Sequence, residues 1–377
     1  MNSSSKFPWI RSAVVLGVIT WSTGGCYLVE SARGQLALMS KRQPIDRVLD
    51  SPQTSAALRD QLRTVNSIRD FATRTLGLPD NGSYRTYADV GRPYVVWNVV
   101  AAPEFSVEPK EWCYPIVGCV AYRGYFDERR AQKSAEKLHA DGMDVSLGGV
   151  AAYSTLGHFD DPILNTMMGW NDVELAGIVF HELTHQLLYV AGDAPFNEAL
   201  ATTVEEEGVR RWLLSQGRAP ELERHLEQQG RYLQVVELLR RARANLRVLY
   251  AAGGDASLMR ERKRAEFERV RLEYRGLAAQ WAAQTERAAA TTVAARAPAA
   301  STPAGGSPAP GPPFAAWFDD QLNNARLASV ATYYDCVPGF ERELAAAGGN
   351  LPAFYQRVRD LAKLDQATRD ARVCRQG

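Results

Sequence analysis

The pentapeptide His181-Glu182-Leu183-Thr184-His185 constrains the fold of this chain more than any other feature. On an α-helix, residues four apart lie on one face, so the two imidazole rings can point at a single metal ion. Glu182 follows His181 by about 100° around the helix axis and can reach a water molecule beside that ion. This arrangement is typical of zinc hydrolases in which the glutamate is the general base. The alternative interpretation, two core histidines satisfied by hydrogen bonds, does not require a glutamate at position 182.

Helix signals flank the pentapeptide on both sides. Asn171 and Glu174 predict a capping box, in which each side chain bonds the backbone amide of the other residue. Gly192 and Pro195 are typical of a helix end. Between these signals, apolar residues recur at helical spacing: Leu175, Ile178, Val179, Leu183, Leu187 and Leu188. The sequence therefore predicts one helix that begins after Asn171 and ends near residues 191–193.

A catalytic zinc site takes three protein ligands and leaves one position for water. Glu198 is the predicted third ligand, because a short turn at residues 191–195 would fold a second helix back onto the first. Glu205 shares roughly the same face of that helix, and it is the alternative ligand or a partner of a ligand. His158 is a rival nitrogen ligand outside the helix pair. Two further carboxylates of the second helix are expected to form a solvated acidic edge: Glu206 and Glu207.

The pattern Asn-Glu-x-x-Ala at residues 197–201 resembles the helix that supplies the glutamate ligand in gluzincin metallopeptidases, the class of thermolysin and the zinc aminopeptidases. The resemblance implies Zn²⁺ as the cofactor and Glu198 as its carboxylate ligand. In gluzincins a downstream Tyr or His often donates to the oxyanion. Tyr333 and Tyr334 are the candidates for that role here. A pair of aromatic residues also fits ordinary packing.

A Gly-interrupted strand is predicted at residues 145–155, upstream of the histidines. Metallopeptidases commonly bind an extended peptide along such an edge strand, and glycine allows a close backbone approach. An ordinary sheet strand is an equally good interpretation. Residues 157–162 are expected to form a loop over the site, in which Asp160 or Asp161 could pair with the free amine of a peptide. Two Asp residues before a proline are also a common turn sequence.

The N-terminus has the features of a secretory signal. Lys6 and Arg11 precede a short apolar run at residues 13–21, and small residues then lead to Cys26. The end of this segment resembles a bacterial lipobox, although Thr23 replaces the usual Leu. We therefore expect a protein lipid-anchored through Cys26 in the bacterial cell envelope and facing the periplasm. A protein cleaved nearby, or anchored by its uncleaved signal, is the alternative.

Four cysteines remain when Cys26 is set aside, which suggests disulfides in an oxidising compartment. Cys113 and Cys119 enclose a short loop and are the expected pair. Cys336 and Cys374 could form a second bond, but their spacing does not decide it.

The 377 residues, 46% of them hydrophobic, predict an α+β, zincin-like metallopeptidase domain with a long helical hairpin. The expected units are a signal peptide (1–26), the metallopeptidase core (27–214), the hairpin (215–291), an Ala/Pro/Gly-rich linker (292–313) and a helical part that packs on the core (314–377). A net charge of +1 without long basic runs argues against nucleic-acid binding. The hairpin is interpreted either as a solvated helical pair or as a binding surface for a protein partner.

Longer motifs resemble one family, the bacterial predicted zinc aminopeptidases, which are gluzincin-like lipoproteins. The motifs are RQPID (42–46), LPDNGSY (78–84), RPYVVWN (92–98), NNARL (323–327) and LPAFY (351–355), together with the pentapeptide and Asn197-Glu198. The resemblance implies a zinc-dependent aminopeptidase that acts on peptides, with His181, Glu182, His185 and Glu198 as its functional residues. It rests on analogy and leaves two alternatives open, an envelope endopeptidase and a non-catalytic, partner-binding lipoprotein.

Overall fold

A computed structural model describes residues 27–114, 118–295, 315–319, 321–329 and 335–374. Long helices and short strands alternate in the first half of these residues, and helices fill the second half. The helices are α1 (residues 27–40), α2 (Ile45–Asp50), α3 (Ala56–Arg74), α4 (Glu128–Ala140), α5 (Asp172–Leu187), α6 (Ala194–Ser215), α7 (Ala219–Ala252), α8 (Ala256–Ala295), α9 (Asn324–Ala328), α10 (Val337–Ala346), α11 (Leu351–Ala362) and α12 (Gln366–Val373).

The strands form small sheets. They are β1 (Gln43–Pro44), β2 (Thr86–Ala88), β3 (Val96–Pro103), β4 (Trp112–Tyr114), β5 (Gly118–Val120), β6 (Arg123–Tyr125), β7 (Met143–Val150) and β8 (Ile163–Leu164). The strand orders are β1-β2-β8, β6-β3-β7 and β4-β5. Only β2 and β8 pair in parallel among the described strands.

Strand β3 lies between β6 and β7 and is apolar on both faces. This pattern is expected for a strand that is covered on both sides. On one face Trp97 and Val99 pack with Ala131 of α4. On the other face Val100 and Ala102 pack with Ala325 of α9. The neighbouring strand β7 lies at the edge of this sheet, with Val96 opposite Val150 and Pro103 opposite Met143.

Helices α7 and α8 pack against each other through their own apolar core. This core contains Val235, Val236, Leu238, Leu239, Ala242, Leu246, Phe267, Val270, Tyr274 and Trp281. Gly253 has φ +65° between the two helices, a conformation that a residue with a Cβ rarely adopts. Ion pairs join this hairpin to β7 and to the connection after β3, since Lys263 Nζ lies 2.7 Å from Asp144 Oδ2 and Arg243 contacts Glu108 at 2.7 Å.

The C-terminal helices α10 and α12 pack on α6, and α11 packs on α10. Phe196 of α6 meets Phe340 of α10 edge to face, with ring centroids 4.9 Å apart. Cys336 and Cys374 are joined by a disulfide, as are Cys113 and Cys119 across the β4–β5 hairpin. Among the described residues, none of the helices is both long enough and apolar enough to cross a membrane.

A buried ion pair connects α12 to the start of α6. Arg369 Nε and Nη2 lie 2.8 and 2.7 Å from Asp193 Oδ2, and the Asp193 side chain is 1% exposed. Asp193 is also the N-cap of α6, because its Oδ1 accepts the amide of Phe196 at 3.2 Å. The pair therefore fixes the helix that carries Glu198.

Arg369→Gln should lower the free energy of unfolding by about 3 kcal/mol, because it leaves the buried Asp193 carboxylate without its partner. Chemical denaturation followed by circular dichroism measures this loss. Arg372→Gln on the exposed face of the same helix is the matched control and should change stability by less than about 0.5 kcal/mol. Equal effects of the two substitutions would contradict a stabilising role for the pair.

Candidate metal centre

Helix α5 begins where the sequence predicts. The Asn171 side chain accepts the amides of Val173 and Glu174 at 2.9 Å, and Glu174 Oε2 accepts the amide of Asn171 at 2.9 Å. The predicted end near residue 191 is wrong, because α5 stops at Leu187. The amide group of Asn197 bonds both the N–H and the C=O of Val190 at 2.8 Å. These bonds hold the connection to α6 in a non-helical conformation.

The structure brings His181, His185 and Glu198 together. His181 Nε2 lies 3.2 Å from His185 Nε2 and 3.3 Å from Glu198 Oε2. His185 Nε2 lies 3.6 Å from Glu198 Oε1. Ligands at 2.0–2.2 Å from a tetrahedral ion are about 3.4 Å apart, so these separations suit a zinc-sized metal ion. All three ligand atoms lie within 4.8 Å of one another.

Glu205 defines the state of the His181 ring. Its Oε2 lies 2.9 Å from His181 Nδ1, and a carboxylate accepts hydrogen bonds, so Nδ1 carries the proton and donates it. The lone pair of a neutral His181 then lies on Nε2, the atom that faces His185 and Glu198. The donor set therefore fits a metal ion, since two nitrogen atoms and a carboxylate oxygen converge with their lone pairs on one point.

A bare helix surface at Gly177 lets Glu205 reach His181. A Cβ at Gly177 would lie 2.9 Å from Glu205 Oε1, which is too close for an unstrained contact. Gly177 precedes His181 by one helical turn, so the two residues lie on the same face of α5. The Glu205 carboxylate therefore passes over Gly177 and contacts the His181 ring. The sequence leaves two roles open for Glu205, that of a metal ligand and that of a partner of a ligand. In the structure Glu205 contacts Nδ1 of His181, the ring nitrogen that does not face the cluster, which fits the second role.

Without a metal, the two histidines titrate very differently. Burial opposes a charge on His181, but hydrogen bonds to Glu198 and Glu205 outweigh it and raise the pKa of His181 to about 10. Burial and the nearby charge of His181 lower the pKa of His185 to about 4. Burial raises the pKa of Glu198, and the hydrogen bond and charge of His181 bring it below its usual value.

Glu182 lies beside this cluster without belonging to it. Burial raises the pKa of the Glu182 carboxyl above its usual value, although the charge of His181 and a hydrogen bond from Ser154 oppose that shift. A carboxylate with a raised pKa is a better proton acceptor near neutral pH than an ordinary surface glutamate.

Two tyrosines that the sequence did not single out for chemistry, Tyr189 and Tyr122, interact with the cluster. The Tyr189 ring packs edge to face on His185, with centroids 6.2 Å apart. Withdrawal from water and the charge of Glu198 raise the pKa of Tyr122, although its side chain is 45% exposed overall. No local pattern marks these residues, because they reach the site only through the fold. Tyr333, Tyr334 and Cys26 lie outside the described residues, so their predicted roles stay predictions.

Other predicted candidates lie outside the cluster or are already engaged. His158 is exposed and is not one of the clustered ligands. Asp161 is 1% exposed, and its oxygens accept the Thr155 amide and hydroxyl at 2.8 Å each and the Ser154 hydroxyl at 3.2 Å. Asp161 therefore holds a loop, and the interpretation that it binds a substrate amine is wrong. Asp160 is exposed, and its backbone carbonyl accepts a bond from Arg42.

The expected acidic edge of α6 is wrong as well, since Glu206 and Glu207 are both partly buried. Burial, with the charges of Glu205 and Glu341, raises the pKa of Glu206 to about 8. Glu207 bonds Arg210 and Arg211 at 2.6 Å each, and these bonds bring its pKa below the usual value despite its burial.

A family model described as "Putative aminopeptidase" matches residues 26–373, nearly the whole chain. The chain belongs to this family. No curated protein and no solved structure shows a significant match. Membership supports a peptidase function and a peptide substrate in general.

The free energy of unfolding should depend on pH because the pKa of Glu206 differs between the folded and unfolded states. A folded-state pKa of about 8 against an ordinary value of 4.5 means that the native state holds the proton more tightly, so stability falls as pH rises between these values. Glu206→Gln should therefore stabilise the metal-free protein at pH 8.5 by roughly 1–2 kcal/mol, with little effect at pH 4.5. Urea denaturation at both pH values measures this. Glu207→Gln is the control and should destabilise the protein at pH 8.5. If both variants changed the free energy of unfolding in the same direction, the raised pKa of Glu206 would not be the cause.

Glu205→Ala should weaken the binding of Zn²⁺, used as the probe metal, by about 10- to 100-fold, because it removes the acceptor that fixes the His181 ring. Competition with a chromophoric chelator measures the dissociation constant. Glu207→Ala, two residues further along α6 with other partners, should leave the affinity within about twofold. An unchanged affinity in Glu205→Ala would show that the contact does not organise the centre.

Proposed function

We propose that this protein is a zinc-dependent aminopeptidase with a zincin-like catalytic domain. The observation that carries the proposal is the convergence of His181, His185 and Glu198 at separations of 3.2–3.6 Å. Glu182 is the residue after His181, and its charge interacts with His181 and Glu198. The family match supports a peptidase in general, and the donor set supports zinc within it.

The proposed chemistry divides between the metal and the protein. When bound, zinc supplies Lewis acidity, which makes water acidic near neutral pH and polarises a peptide carbonyl. Glu182 takes the proton from the attacking water and passes it to the leaving amine. His181 and Glu205 act together, since the carboxylate holds the ring in the tautomer that presents Nε2.

An oxyanion donor completes the proposal. Tyr333 and Tyr334 remain candidates from the sequence. Tyr122 is a further candidate, because the charges of Glu198 and Glu182 both act on its hydroxyl. A phenol is protonated at neutral pH and can therefore donate a hydrogen bond to developing negative charge.

The proposed peptide path runs along β7. This strand lies at the edge of its sheet, and a Cβ at Gly148 would meet nothing within 4 Å. A peptide can add to such an edge through backbone hydrogen bonds. The proposal includes a lipid anchor at Cys26 in the bacterial cell envelope, with the protein facing the periplasm, and a protein partner on the α7–α8 hairpin.

Glu182→Gln should abolish peptide turnover, by about 10³-fold or more, while Zn²⁺ stays bound, because the amide cannot accept the water's proton. The measurement compares purified wild type and variant, each with its metal content determined, on amino-acyl reporters and on internally quenched peptides. Glu174→Gln, at the helix cap and away from the cluster, is the matched control.

Preference for amino-acyl reporters would support the aminopeptidase, and preference for internally quenched peptides would support an envelope endopeptidase. Full zinc loading of the wild type without cleavage of either class would contradict both and favour the non-catalytic, partner-binding lipoprotein.

A further inference from the structure

The outward face of α1 is apolar. This face consists of the exposed positions of the helix, which are Leu28, Val29, Ala32, Arg33, Leu36, Ala37 and Ser40. Leu28, Val29 and Leu36 are 47%, 52% and 68% exposed, so a large part of each residue faces solvent. A surface helix of a globular protein usually places charged and polar residues on this side. The outward face of α1 therefore requires an explanation.

The neighbouring helix α4 shows the usual pattern. Glu30 of α1 forms an ion pair with Arg130 of α4, so the two helices are in contact. The exposed positions of α4 are mostly charged or polar: Glu128, Arg129, Arg130, Gln132, Lys133, Glu136, Lys137, His139 and Ala140. The apolar character is therefore particular to α1 and is not shared by the adjoining surface.

The first turn of α1 is fixed to the sheets. The Tyr27 hydroxyl donates to the carbonyl of Gly124 at 2.9 Å, and its ring stacks on Tyr114 with centroids 5.5 Å apart. The Arg123 guanidinium lies 3.9 Å from the centroid of the Tyr27 ring, within the range of a cation–π contact. These contacts hold the start of the helix in one rotation about its axis.

The rest of the inward face is fixed as well. A Cβ at Gly34 would lie 2.2 Å from the Phe126 ring, so only glycine allows this close approach. Leu38 is buried in the main core. Val29 and Leu36 lie on the opposite side, because successive helical residues are rotated by about 100°. The helix cannot turn these two side chains inward without losing the contacts of Gly34 and Leu38.

The sequence before α1 indicates what covers the outward face. Residues 13–21 form an apolar run that follows Lys6 and Arg11, and Cys26 directly precedes the first described residue of α1. Consecutive Cα atoms are about 3.8 Å apart. A lipid on Cys26 therefore leaves no linker between the membrane and the helix, and an uncleaved signal leaves only residues 22–26.

The charges of α1 agree with a membrane on this side. Glu30 is the only acidic residue among residues 27–40, and it is paired with Arg130. Arg33 is the only charged residue of the outward face. Its apolar stem can lie along a hydrophobic surface while the guanidinium reaches a lipid phosphate. Apolar area combined with positive charge is the pattern of helices that lie in the interface of anionic bilayers.

We propose that the outward face of α1 is a membrane-contacting surface that lies in the interface of an anionic phospholipid bilayer. Val29, Ala32 and Leu36 enter the boundary between headgroups and acyl chains, and Arg33 contacts lipid phosphates. Because α1 is fixed to the sheets and the core, this contact holds the whole domain in one orientation on the bilayer. The proposal rests on the part of the proposed function that anchors the chain at Cys26.

A fluorescent label at position 36 tests the proposal. Dansylalanine replaces Leu36 in the full chain, which is reconstituted in vesicles of phosphatidylglycerol and phosphatidylcholine. Position 36 lies about 15 Å along the helix from Cys26, so a helix that stands upright on its anchor keeps the label in water. We expect a blue shift and quenching by brominated acyl chains of about twofold or more, because interfacial helices bury their apolar face about 5–10 Å deep.

The same label in place of Lys133, on the exposed side of α4, is the matched control. Its emission should be neither shifted nor quenched, because the proposal leaves this surface in water. An unquenched label at position 36 in protein that sediments with the vesicles would overturn the proposal. Equal quenching at positions 36 and 133 would overturn it as well, because the contact would then not be specific to α1.

A charge placed on the outward face gives a second test. Val29→Glu, with the label at position 36, should lower the quenching by about twofold or more, because a carboxylate is costly to bury and is repelled by anionic lipids. Gln132→Glu adds the same charge to the exposed side of α4 and should leave the quenching unchanged. Both positions are exposed, so the melting temperature should not fall. Unchanged quenching in Val29→Glu would contradict the proposal.

The outcomes separate this proposal from the proposed chemistry. Peptide turnover enters none of these measurements, so an inactive protein with a quenched label at position 36 would remove the aminopeptidase alone. An active protein with an unquenched label would remove the membrane-contacting surface alone. A full chain that does not sediment with the vesicles would contradict both the anchor and this surface. A blue shift that grows with protein concentration at constant lipid would assign the face to a second copy of the chain and overturn the proposal.

Discussion

The contact between Glu205 and His181 organises the candidate centre, because it joins the two helices that carry the clustered side chains. Helix α5 supplies both histidines and α6 supplies both carboxylates. A change in the register of α6 would move Glu198 and Glu205 together, since they lie seven residues apart on one face. The tautomer of His181 and the position of Glu198 therefore both depend on how α6 packs on α5. The absence of a side chain at Gly177 permits this packing.

Buried polar contacts support that arrangement at the connection between α5 and α6. The Asn197 amide holds the turn between the helices, and the Arg369–Asp193 pair fixes the start of α6. Buried polar groups of this kind cost desolvation energy, and removing one partner leaves the other without compensation. Their benefit lies in precision, since a metal centre tolerates only small displacements of its ligands. The C-terminal helices thus belong structurally to the centre, although they carry none of its clustered ligands.

The features of the site that the sequence predicted well are local ones. The capping box, the facing histidines and the position of Glu198 in the first turns of α6 follow from helix periodicity and short-range hydrogen bonding. The end of α5, the engagement of Asp161 and the burial of Glu206 depend on contacts with residues distant in the chain, and no local pattern contains them.

The unequal protonation of the two histidines follows from the same geometry. His181 is bonded to two carboxylates and favours the imidazolium, whereas His185 has only the more distant Glu198 and faces the charge of His181. The positive charge at neutral pH therefore lies on His181, the ring that Glu205 holds, and Glu198 is the negative charge beside it. A metal ion and that proton need the same Nε2 lone pair, so the two must compete. The arrangement that stabilises a proton in the metal-free protein is thus the one that would stabilise a divalent ion, with Glu198 as the common counter-charge.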